Sequence, residues 1–147
     1  MFDLKQGALL FDCDGTITDE KFLPSIVGRT IKEIVEEQGQ VFDPDIFDSV
    51  FDANKGGGFD KYYLGYLNAT NSAHLLNHID IHAFSEKAIT KYLETTDAIA
   101  RGEDVGIRFD VNHDAVNIIK WANEQKIPVV IVTNANSRIV RANLQAA

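Results

Sequence analysis

Ala8-Leu9-Leu10-Phe11-Asp12-Cys13-Asp14-Gly15-Thr16 is a short apolar run that ends in two carboxylates, one residue apart, and then a glycine. An apolar run of this length bounded by a turn signal predicts a buried strand, here over residues 8–13. Ionised carboxylates at the end of a buried strand are costly without a positive partner. A divalent cation meets that need, and hard oxygen ligands suit Mg²⁺. Gly15 allows a sharp turn where backbone must approach a ligand closely. Alternation along the strand predicts Asp12 and Asp14 on one side and Cys13 in the core.

A second run has the same design. Val129-Val130-Ile131-Val132-Thr133 is the most β-branched stretch of the chain and predicts a buried strand. Asn134-Ala135-Asn136-Ser137 follows as a turn and helix cap, then a helix holding Ile139, Val140 and Leu144. Before it, Asp114 to Lys126 predicts an amphipathic helix with Ala115, Ile118, Ile119 and Ala122 on one side, ended by Pro128. Two buried strands, each followed by a polar turn and a helix, predict a parallel α/β sheet. Ligands bind such sheets at the carboxyl ends of the strands, where both Asp12-Cys13-Asp14 and Thr133-Asn134 would lie.

Between about 20 and 100 nothing alternates like a strand, so this span is expected to be all-helical. Ile31, Ile34 and Val35 recur at helical spacing, with Thr30 and Glu33 spaced as a capping box, Gly39 as a stop and Pro24 as an earlier start. Asp43-Pro44-Asp45 reads as a cap, a first-turn proline and a first-turn acid. Asp60 and Ser85 are read as caps of two further helices. Arg101-Gly102-Glu103-Asp104 with Gly106 reads as the return loop.

The chain has 147 residues, 45% of them hydrophobic, enough for one core with a modest insertion. With 22 acidic and 14 basic residues and no Lys/Arg cluster, a nucleic acid or an anionic membrane is not an expected partner. A single cysteine, Cys13, excludes an internal disulfide. No signal-peptide pattern and no membrane-length apolar run is present, so a soluble cytoplasmic protein is expected.

If the strands lie side by side, Asp12 and Asp14 converge with the Thr133 hydroxyl and with backbone N–H groups suited to phosphate oxygens. A carboxylate beside Mg²⁺ can attack phosphorus, and a second carboxyl two residues on can serve as general acid and base. An EF-hand-like Ca²⁺ loop is the competing reading, since Asp12, Asp14 and Thr16 fall at its positions 1, 3 and 5. It fails because glycine stands fourth rather than sixth and Leu23 stands where a bidentate Glu is required.

Leu9-Leu10-Phe11-Asp12-Cys13-Asp14-Gly15-Thr16-Ile17-Thr18-Asp19 resembles the first motif of the haloacid dehalogenase (HAD) superfamily, and Val129-Val130-Ile131-Val132-Thr133-Asn134 resembles its second. The long helical insert resembles the cap of the phosphoglycolate phosphatase and β-phosphoglucomutase branch. The resemblance implies a partial HAD-like Rossmannoid α/β fold: a parallel-sheet core over 1–19 and 105–147, with an inserted all-helical cap over 20–104 that acts as a lid. It implies Asp12 as the phosphorylated nucleophile, Asp14 as general acid/base, and Thr133 and Asn134 as phosphate-binding residues. Asp12 and the Asp14 main-chain carbonyl are implied to bind Mg²⁺.

The implied activity is a Mg²⁺-dependent phosphatase for a small phosphorylated metabolite. A phosphomutase, or a catalytically incomplete fragment with a binding role, is the alternative. Asp14 argues against a dehalogenase, which needs no acid/base there. The family's third motif, a lysine, and its fourth, an acidic pair, lie beyond the second, and this sequence offers no match to either; Lys126 precedes the second strand and is not assigned. The expectation is therefore a truncated piece of a longer protein that turns over poorly, or pairing with another chain. A sheet of two strands would also leave bare edges prone to self-association.

His74, His78 and His82, at i, i+4 and i+8, would line one helix face, read as polar surface rather than a metal site because no Cys or nearby Glu completes a set. Gly56-Gly57-Gly58 reads as a connector. Arg29 and Arg101 read as surface residues, and His113 as part of a turn.

Overall fold

A computed structural model describes residues 7–72, 74, 80–133 and 135–146. The chain divides into two compact units, Met1–Phe22 with Thr96–Ala147, and Leu23–Thr95.

In the first unit, β1 (Leu9–Phe11) and β2 (Val129–Ile131) pair in parallel, with Leu9 opposite Val129, Leu10 opposite Val130 and Phe11 opposite Ile131. The ladder extends at both ends, from the Leu9 N–H to the Pro128 carbonyl (2.9 Å) and from the Val132 N–H to the Phe11 carbonyl (2.8 Å). Among the described residues the sheet has these two strands alone. The expected parallel α/β pattern is present, but the β2 run is not buried on both faces. Leu10, Val130 and Val132 are 69%, 44% and 56% exposed. Both faces of a parallel sheet are normally covered by helices, whereas here the face carrying the Leu10–Val130 pair is open.

After Val105, Gly106 and the rest of the return loop, α5 (His113–Glu124) packs against β2 and buries Ala115 and Ala122. Its cap is Asn112, whose side chain accepts the N–H groups of Asp114 (3.1 Å) and Ala115 (3.3 Å). Ile118 lies off the buried face, 47% exposed. The helix stops before Pro128, because Lys126 adopts a left-handed φ of 57°. The final helix, α6 (Ser137–Ala146), is capped by Asn136, which accepts the Arg138 N–H at 2.9 Å.

Among its described residues the second unit holds helices joined by turns and no strand, as the absence of alternation predicts. It contains α1 (Leu23–Glu37), α2 (Pro44–Ala53), α3 (Phe59–Ala69) and most of α4 (Ile81–Ala100). Several caps differ from the sequence reading. Thr30 sits inside α1 and donates its hydroxyl to the Ile26 carbonyl at 2.9 Å. The α3 cap is Gly58, with Asp60 in the first turn. Asp80, not Ser85, caps α4, accepting the N–H groups of His82 (2.9 Å) and Ala83 (3.3 Å). The α2 cap matches expectation: Asp43 accepts from Asp45 N–H (3.0 Å) and Ile46 N–H (3.2 Å). Asp43→Ala leaves both donors without this acceptor and should cost about 1 kcal/mol in a denaturant unfolding titration. Of the three histidines, His82 is in the first turn of α4 and His74 precedes the Asp80 cap; His78 lies outside the described residues.

The core of this unit is aromatic. Tyr63, Tyr66 and Tyr92 are almost fully buried beside Ile26, Ile31 and Leu67. Tyr63 stacks on Phe84 at 4.1 Å and Phe51 stacks on Tyr62 at 4.9 Å. A Cβ on Gly65 would stand 2.8 Å from the Val50 side chain, so glycine lets α3 approach α2 closely.

An ion network ties α1 to α4. Lys91 lies 2.7 Å from Glu37 and 3.3 Å from Glu33, and Lys87 also pairs with Glu37. Hydrogen bonds from Lys87 and then Lys91 push the Glu37 carboxyl down to about 2. Between its ordinary value of 4.5 and about 2 the unfolded chain holds more protons at this position than the folded one. The contribution is therefore present above that window and lost as pH falls through it. Thermal melts should show Tm falling from pH 6 to pH 3, with a shallower fall in Glu37→Gln and a smaller network effect in high salt.

No helix among the described residues is long and apolar enough to cross a membrane.

Candidate active site

The parallel register puts the residues after β1 and β2 at the same sheet edge. Phe11 and Val132 share the last ladder hydrogen bond, so Asp12 and Thr133 leave that edge together. Leu10, Phe11, Asp12, Val132 and Thr133 line one cleft of about 450 Å³. Asp12 is exposed, and its Oδ1 accepts the Cys13 N–H at 2.8 Å, which fixes the carboxylate over the chain. The Thr133 hydroxyl accepts the Ala135 N–H at 3.1 Å and so keeps its own hydrogen to donate. Asn134 lies outside the described residues.

Beyond Asp12 the chain leaves the strand at once. The Cys13 carbonyl accepts the N–H groups of Thr16 (3.3 Å), Ile17 (2.9 Å) and Thr18 (3.1 Å), closing a tight turn. Gly15 takes φ of 75° there, a conformation that L side chains resist. Its N–H donates to the Thr18 carbonyl at 2.9 Å. The turn is tied to the return loop by Asp19 N–H to the Asp110 carbonyl (3.0 Å) and Asn112 N–H to the Ile17 carbonyl (2.8 Å). Strand alternation therefore is not what separates the three side chains. The turn does so, with Cys13 fully buried and the two aspartates reaching solvent. A second cleft of about 480 Å³ is lined by Gly15, Thr18, Asp19, Val111 and Asn112.

A family model for haloacid dehalogenase-like hydrolases matches residues 7–147, nearly the whole chain. The chain belongs to the haloacid dehalogenase-like hydrolases. No curated protein and no solved structure matches it. In this HAD-like hydrolase the residues that resemble the first and second motifs stand at one sheet edge, as Asp12 and Thr133 show. Sequence reasoning did not single out Thr18, whose burial distinguishes it from the neighbouring Thr16 only in the folded turn.

For Mg²⁺, this HAD-like hydrolase offers the exposed Asp12 carboxylate, with the Asp14 main-chain carbonyl two residues on in the sequence. Mg²⁺ keeps several waters and commonly takes only one or two carboxylates together with substrate phosphate, so this donor set fits. Among the described residues no group of three or more His, Cys, Asp or Glu converges as a metal site.

Burial, and next the Asp14 charge, push the Cys13 thiol up to about 11. The thiolate is the reactive form, so Cys13 in the native protein should resist a thiol reagent at pH 8. It should react at full rate in denaturant; rapid native labelling would show the turn to be open.

Proposed function

We propose that this HAD-like hydrolase is a phosphatase acting on a small phosphorylated metabolite through an aspartyl-phosphate at Asp12, on the pattern of the phosphoglycolate phosphatase and β-phosphoglucomutase branch. The observation that supports it is the cleft shared by Asp12 and Thr133 at the carboxyl ends of two paired parallel strands.

The Asp12 carboxylate attacks phosphorus and forms a P–O bond as the ester P–O bond breaks. Asp14 gives its proton to the departing alkoxide, so the alcohol leaves neutral. Water then attacks the phosphoryl group on Asp12, Asp14 takes the water's proton, and inorganic phosphate leaves with Asp12 restored. Thr133 donates its hydroxyl hydrogen to a phosphoryl oxygen, and Asn134 holds another by the family pattern. Asp12 and the Asp14 main-chain carbonyl would hold Mg²⁺, which offsets the repulsion between carboxylate and phosphate. The helical unit Leu23–Thr95 corresponds to the cap and would select the ester.

A second reading is a protein that binds phosphate or a cation without turnover. It is favoured by the cleft lining, which among the described residues carries no Lys or Arg to neutralise a phosphoryl group. Incubation with p-nitrophenyl phosphate and Mg²⁺, against EDTA controls, separates the two. Metal-dependent release of nitrophenol is expected; phosphate or Mg²⁺ binding with no release would favour the second reading.

A further inference from the structure

We propose that Thr18 is a positioning residue whose buried hydroxyl fixes the Asp14 carboxylate; its functional consequence rests on the reading of Asp14 as general acid/base. Thr18 is 0% exposed. Its Oγ1 lies 3.3 Å from the Cys13 carbonyl oxygen and 3.4 Å from Asp14 Oδ1, and it also hydrogen-bonds with the Cys13 thiol, so its one hydrogen has three places to go. The Cys13 carbonyl already accepts three N–H groups, from Thr16, Ile17 and Thr18. A carbonyl oxygen has two lone pairs, so a fourth donor shares them with three others and gains little there. The carboxylate is the stronger acceptor, and a hydrogen bond to an ionised group is the stronger bond. The Thr18 hydrogen is thereby directed to Asp14.

The donor is itself immobile. The Thr18 N–H and carbonyl are both held within the turn, by the Cys13 carbonyl and the Gly15 N–H, and Thr18 bridges to Val111 of the return loop. Its β-branched side chain restricts χ1 further. At a fully buried site valine has nearly the same shape without a hydroxyl to satisfy. A threonine here is therefore best explained by a hydrogen bond that valine lacks. Carboxyl torsions are broad, so a fixed donor narrows the orientation of the group that delivers the proton. The competing role is a structural threonine satisfied by the turn backbone alone.

Thr18→Val and Thr18→Ser, made in the full chain, separate the two roles. Single-turnover cleavage is followed on p-nitrophenyl phosphate, whose leaving group needs no proton, and on an alkyl phosphate, whose leaving group does. Thr18→Val should slow the alkyl ester ~10-fold or more while cleaving the aryl ester at near the parent rate, with KM little changed for both. Thr18→Ser should restore the alkyl rate. Equal effects on both esters, or none, would overturn the proposal.

A second measurement does not depend on turnover. Three-bond couplings to Asp14 Cγ should report the same χ1 rotamer populations in the parent and in Thr18→Ser, and shifted populations in Thr18→Val; unchanged populations in Thr18→Val would overturn it. If the parent cleaves neither ester, the phosphatase reading fails and the couplings alone decide the positioning claim. If Thr18→Val does not fold, the Thr18 hydroxyl proton resonance in Asp14→Ala decides. A shifted resonance supports the bond, and an unchanged one overturns it.

Discussion

Asp12→Asn is expected to abolish metal-dependent phosphatase activity, lowering kcat/KM by ~10³-fold or more, the scale seen when a covalent nucleophile is removed. The substitution is close to isosteric. An asparagine Oδ1 can still accept the Cys13 N–H that Asp12 accepts at 2.8 Å, so the turn should survive. What is lost is the anionic oxygen that attacks phosphorus. The effect should fall on kcat, since the Thr133 hydroxyl and the neighbouring N–H groups that would receive the phosphoryl oxygens remain. Activity within a few fold of the parent would remove Asp12 from the nucleophile's role. A loss of folding, visible by circular dichroism, is not expected, because Asp12 is exposed.

Tyr63→Ala should cost about 3–5 kcal/mol in stability, the range for deleting a buried aromatic ring. Tyr63 is 0% exposed, stacks on Phe84 with ring centroids 4.1 Å apart, and donates its hydroxyl to Gln38 Oε1 at 2.7 Å. The variant loses apolar burial, the ring pair and the Gln38 contact together. Tyr63→Phe keeps the first two and should cost only about 1 kcal/mol, the scale of one hydrogen bond. Urea titrations of both variants check the ordering. If Tyr63→Ala cost no more than Tyr63→Phe, the aromatic cluster would not be the core of the helical unit.

The sheet and the site edge were legible because they rest on composition over several residues. Ala8 to Phe11 and Val129 to Val132 could hardly be anything but strands, and parallel pairing follows from the helices that succeed them. The capping assignments were less legible, because serine, threonine and aspartate have several ways to use a side-chain oxygen. Thr30 and Thr90 bond back to carbonyls four residues earlier inside helices, so their presence marks no boundary. Asp80 outcompeted Ser85 because its carboxylate accepts two first-turn N–H groups. Full burial of Val130 and Val132 was misread for a different reason. A β-branched run states that a strand forms, but the number of neighbouring elements decides how much of it is covered.

At the site, D-x-D-G-T drew attention to Asp12 and Asp14, but strand alternation was the wrong cause for the burial of Cys13 between them. The converging N–H groups on the Cys13 carbonyl set it, and a backbone turn of that kind leaves little trace in residue type beyond Gly15. Thr18 went unnoticed for the same reason: its significance lies in an acceptor that three N–H groups already share, a property of the folded turn.

The central claim is a covalent phosphoryl group on Asp12. Acid quenching during turnover of p-nitrophenyl phosphate with Mg²⁺, followed by peptide mass spectrometry, tests it most directly. The expected result is one phosphoryl group on the peptide spanning residues 9–19, localised to Asp12, removed by hydroxylamine and absent from Asp12→Asn. Continued turnover with no phosphoryl group on Asp12, or with the group on another residue, would contradict it.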